Sequence, residues 1–74
     1  MTIETDDSGQ EYIEFSLASG SLRLTRIPEA WHGGTALRVQ IREEDGHLRQ
    51  GPDIPSDKLG EMFNAALKLL GVGR

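Results

Sequence analysis

The hydrophobic period of this chain changes once, and that change constrains its fold more than any other feature. Through the first two thirds, apolar residues recur at every second position, the period of strands with one buried face. In EYIEFSLA, residues 11–18, Ile13, Phe15 and Leu17 share one face while Tyr12, Glu14 and Ser16 share the other. GSLRLTRI places Leu22 and Leu24 opposite Arg23 and Thr25. TALRVQIR, residues 35–42, is the clearest strand: Leu37, Val39 and Ile41 alternate with Arg38, Gln40 and Arg42. A short fourth strand is expected at HLRQ, residues 47–50, closed by Gly51-Pro52. Beyond Ser56 the period becomes helical: Leu59, Met62, Phe63, Ala66, Leu67 and Leu70 form one stripe. Ser56 is the expected N-cap and Gly71 the expected end.

The turn signals fit this order. Ser19-Gly20 joins the first two strands, and Pro28 ends the second because it has no N–H for a central ladder. Gly33-Gly34 breaks the chain before the third strand, and Asp45-Gly46 marks the hairpin that follows it. The predicted fold is therefore α+β, a four-stranded antiparallel sheet followed by one amphipathic helix (β-β-β-β-α). It forms a single domain over residues 11–71, with residues 1–10 as a disordered acidic lead.

The chain has 74 residues and no cysteine, so neither disulfides nor thiolate metal sites support its core. Hydrophobic residues are 36% of the sequence, enough for one sheet face and one helix. A single helix cannot cover a whole four-stranded sheet. A homodimer joined through Met62, Ala65, Ala66 and Leu69 on the helix would supply the missing burial. No apolar run reaches the roughly 20 residues of a membrane span. MTIETDDSGQ lacks the basic and apolar parts of a signal peptide, so a cytoplasmic location is expected.

The net charge of −4 conceals a division along the chain. Both ends are acidic, whereas residues 15–42 carry Arg23, Arg26, Arg38 and Arg42 against Glu29 alone. Three of these arginines alternate onto the outward sheet face. Guanidinium forks match phosphates, and aromatic faces stack on bases. Arg23, Arg38, Arg42 and Arg49, with Tyr12 and Trp31, are therefore the candidate nucleic-acid contacts. The alternative is a protein-interaction module that binds no nucleic acid, suited to the acidic total and to an aromatic content of 5%.

Other groupings point to less. Glu43-Glu44-Asp45 lies in a turn where consecutive side chains diverge, so no metal is expected. His47 has no nucleophile or carboxylate fixed beside it by spacing. Gly33-Gly34 lacks the pattern of a phosphate loop. Trp31 is either a binding handle or a lid on a small core. No enzyme activity and no cofactor are expected.

From Leu24 to Leu70 the chain resembles the positive-cofactor-four transcriptional coactivators, including their short bacterial members. LRVQIREEDGHLRQGPDIP resembles that family's third strand, acidic turn and fourth strand, with Ile41-Arg42-Glu43, Asp45-Gly46, Arg49-Gln50-Gly51 and Ile54 in the matching slots. SDKLGEMFNAALKLL resembles the family's helix, with Leu59 where an aromatic is usual, and LTRIPEAWHGG resembles a loop of the bacterial members. Pro55 stands where the family has Ser or Thr, and the family's usual lysines are sparse. The resemblance implies a β-β-β-β-α homodimer whose sheets form grooves for single-stranded DNA, or RNA. In it, Arg23, Arg38 and Arg42 match backbone-contacting positions and Trp31 a loop aromatic.

Overall fold

A computed structural model describes residues 1–71. One antiparallel sheet runs in chain order, β1 (Glu4–Thr5), β2 (Glu11–Ser16), β3 (Ser21–Ile27), β4 (Ala36–Arg42) and β5 (Leu48–Pro55). A 3₁₀ turn over Ser56–Lys58 leads into the helix α1 (Leu59–Leu70). The class is α+β, as the change of period requires, with five strands in place of four.

The additional strand lies in the lead that was expected to be disordered. Glu4 pairs with Tyr12 and Thr5 with Glu11. Asp6 makes this possible: its Oδ1 accepts from the backbone N–H of Ser8 and of Gln10, both at 2.9 Å. The aperiodic DDSGQ is thus a turn closed by an aspartate, with Gly9 at φ 83°. The last strand also runs further than expected. Its ladder continues past Gly51-Pro52 through Arg38↔Asp53 to Ala36↔Pro55. A bulge opposite Val39 absorbs the extra residue, and Pro52 is tolerated because β5 is an edge. Gly51 is required there, since a Cβ would collide with the carbonyl oxygen of Val39.

The register confirms the alternation of the central strands. Ile13, Leu24 and Val39 lie side by side on one face, and Glu14, Arg23 and Gln40 on the other. Gly20 turns the β2–β3 hairpin at φ 77°, and a Cβ on it would meet the Arg42 carbonyl.

The helix departs from expectation. It does not lie over the apolar sheet face; its main contacts are with the 3₁₀ turn that precedes it. The reason is local: α1 leaves the end of an edge strand through three residues, with no connection long enough to turn it back. Ser56 makes no side-chain cap, and Pro55 occupies the capping position of the 3₁₀ turn. Gly71 ends the helix in the left-handed conformation as expected. The outcome is an open molecule. Its radius of gyration is 13.6 Å, against roughly 11 Å for a compact chain of this length.

Candidate interaction faces

The polar sheet face is closed upon itself. Arg38 forks onto Asp53 across β4 and β5, with Nε–Oδ1 at 2.7 Å and Nη2–Oδ2 at 2.9 Å. Arg42 donates through Nε to Glu14 Oε2 at 2.8 Å and through Nη2 to Oε1 at 3.3 Å. Ser21 Oγ donates to the same carboxylate at 2.6 Å. Arg23 lies 3.7 Å over the ring of Tyr12, and its Nη2 reaches Asp6 Oδ2 at 3.5 Å. Between these pairs, buried Thr25 donates its hydroxyl to Gln40 Oε1 at 3.1 Å. Each of the three arginines therefore has a carboxylate of its own chain. The fork from Arg42, then the Ser21 hydroxyl, holds the Glu14 carboxyl below its usual value. Arg38 does the same to Asp53.

The six expected nucleic-acid contacts do not form one patch. Arg23, Arg38, Arg42 and Tyr12 share the polar face. Arg49 stands opposite Ile41 on the other face and pairs with Glu43 at 3.2 Å. Trp31 lies in the loop between β3 and β4, 78% exposed, with its ring edge-on to His32. Of its two readings, the lid is excluded by that exposure. One face of Tyr12 is covered by the Arg23 guanidinium, so it offers no open platform on that side. The carboxylate partners Asp6, Glu14 and Asp53 were missed because strand register, not spacing, brings them to the arginines. The turn acids also separate: Glu43 meets Arg49, Glu44 accepts from Ser19, and Asp45 caps the His47 N–H.

The apolar face is the reverse case. Ile13, Leu22, Leu24, Leu37 and Val39 are only half-buried, and Leu17 and Ile41 are exposed. Among the described residues the buried hydrophobic core is Ile27 and Ala36 alone, and both lie on the polar side. Phe63, on the helical stripe, is 58% exposed. Met62, Ala65, Ala66 and Leu69, the expected dimer contacts, are all exposed, with Leu67 and Leu70 beside them. Arg26 stands at the rim of the apolar face, exposed and making no ion pair among the described residues.

No family model matches the chain, and no solved structure matches it. Among curated proteins, the reducing polyketide synthase DEP5 of Alternaria brassicicola is 35% identical over 69 residues, 93% of this chain. The chain spans 3% of the length of that protein. None of the helices among the described residues is long and apolar enough to cross a membrane.

Proposed function

We propose that this chain is a non-catalytic association module that works as a homodimer, built by joining the apolar sheet face and helix of one copy to those of another. The carrying observation is unburied surface. The chain exposes 5530 Å², whereas a compact protein of 8.2 kDa exposes roughly 4500 Å². The excess, about 1000 Å², is close to the roughly 800 Å² that each partner contributes to a standard interface. The exposed large apolar residues include Phe63, Leu67, Leu69 and Leu70 of the helix. Among the described residues, a core of two buried hydrophobic side chains is too small to offset the ordering of the chain. Burial by a second copy is the simplest source of the remainder.

The same reading treats the polar face as structural. Its arginines hold the strands together through carboxylates, and no group there is poised as nucleophile or base. Size-exclusion chromatography with light scattering tests the proposal. A mass of two chains at micromolar concentration supports it, and a mass of one chain rejects it.

Single-stranded nucleic-acid binding is the second reading. It is favoured by the resemblance to the positive-cofactor-four coactivators and by one structural detail: the Nε of Arg23 is buried without an acceptor. Binding there would require phosphates to displace Asp6, Glu14 and Asp53 from their arginines. Fluorescence anisotropy of a labelled oligonucleotide at low salt separates the readings. A flat titration fits the association module, and salt-sensitive binding lost in an Arg23, Arg38, Arg42 to alanine variant fits nucleic acid.

A further inference from the structure

The two edges of the sheet are not alike. β5 carries Gly51, Pro52 and Pro55 and a bulge, the usual devices that blunt an edge. β2 has none of these along Glu11–Ser16, and β1 covers only its first two residues. The N–H of Asp6 donates to the carbonyl of Gln10 across the hairpin, so Gln10 and Tyr12 present their backbone groups to β1. Strand alternation then aims the N–H and C=O of Glu14 and Ser16 out of the sheet. No backbone bond from the described residues meets them. Beside them, between the start of the lead and the β2 edge, lies a cleft of about 590 Å³. Its lining holds no basic side chain and two carboxylates, that of Glu14, already paired with Arg42, and that of Glu4.

We propose that this free edge is a strand-addition site for an extended, basic peptide segment of a partner protein. The segment adds a strand alongside Ile13–Ser16, exchanging backbone hydrogen bonds with Glu14 and Ser16. Alternation sets its side chains. Those beside Glu14 and Ser16 lie on the polar face, where Glu4 is exposed and makes no ion pair among the described residues. Those beside Ile13 and Phe15 lie on the apolar face. The edge thus selects lysine or arginine alternating with an aliphatic residue. The site is at the opposite edge from β5, from which the helix departs. It goes beyond the dimer reading and stands or falls without it.

The test is an amide NMR titration of the full chain with a blocked peptide of roughly six residues alternating lysine and valine. The expected result is saturable shifts at the Glu14 and Ser16 amides, with slowed hydrogen exchange at both. Ser16→Pro removes an outward N–H without breaking the β2–β3 ladder and should weaken binding at least tenfold. Glu4→Lys, which leaves every backbone bond in place, should weaken it severalfold and decides the matter if Ser16→Pro does not fold. Equal binding of a glutamate–valine peptide, or shifts that avoid β2, would overturn the proposal. Slow exchange at both amides before any peptide is added would also overturn it, because the edge would already be taken by the lead or by a second copy.

Discussion

The two faces of this sheet draw on the same strands, yet one satisfies itself within the chain, the Arg23 Nε apart, and the other does not. On the polar face Arg38, Arg42 and Arg23 each find a carboxylate, and Thr25 and Gln40 are buried with their hydrogen bond made. On the apolar face the leucines and valine of β3 and β4 stay half-open, and the helix that could cover them points elsewhere. Polar groups are satisfied by direction, through a few well-aimed bonds between neighbouring strands. Apolar groups are satisfied only by area, and the one helix among the described residues does not supply it. On the proposed dimer, the ion pairs act within the chain and the apolar surface acts between chains.

The largest effect should come from the helix. Phe63→Asp combined with Leu67→Asp replaces side chains that are 58% and 45% exposed in a single chain. For a monomer such surface changes cost within about 0.5 kcal/mol. For the proposed dimer they bury charge in an apolar interface and should cost about 4 kcal/mol or more. Urea unfolding together with light scattering reads both the stability and the mass.

A smaller effect is expected from the polar face. Arg38→Ala leaves Asp53 without its fork and should cost about 1 kcal/mol in urea unfolding, after allowance for solvent screening. It should leave the oligomeric mass unchanged, which is the sharper half of the prediction.

Acid should act on the same face. The carboxyls of Glu14 and Asp53 are held below their ordinary values of 4.5 and 3.8. Groups whose folded pKa is depressed contribute stability above the unfolded value and lose it as pH falls through the folded one. Urea midpoints should therefore be level between pH 7 and pH 5 and fall below about pH 4. Loss of stability toward higher pH within the neutral range would contradict the assignment.

Trp31→Ala should do least. Its ring is 78% exposed and, among the described residues, meets only the ring of its neighbour His32, edge-on, so the change should stay within about 0.5 kcal/mol. A larger loss in urea unfolding would mean that the loop packs against a second copy.

The parts of this fold that were legible in the sequence rest on local rules. Alternation placed β2, β3 and β4 and assigned their faces, Gly20, Pro28 and Gly46 marked their limits, and Gly71 marked the end of α1. The missed parts rest on register or on connection length. DDSGQ looked unstructured because a turn closed by its own aspartate has no period. Pro52 looked like a stop because its place at a bulged edge is decided by β4, not by its neighbours. The arginines looked free because Asp53 reaches Arg38 only in a register that the bulge sets, and Glu14 reaches Arg42 across two strand boundaries. The helical stripe was legible, but its partner was not, since periodicity says which face is apolar and not what covers it.

The most direct test of the central claim is thermal unfolding across a hundredfold dilution series. Unfolding coupled to dissociation makes the midpoint depend on protein concentration, so the proposed dimer predicts a Tm that falls steadily on dilution. A Tm that stays constant across the series, with a single-chain mass throughout, would contradict it.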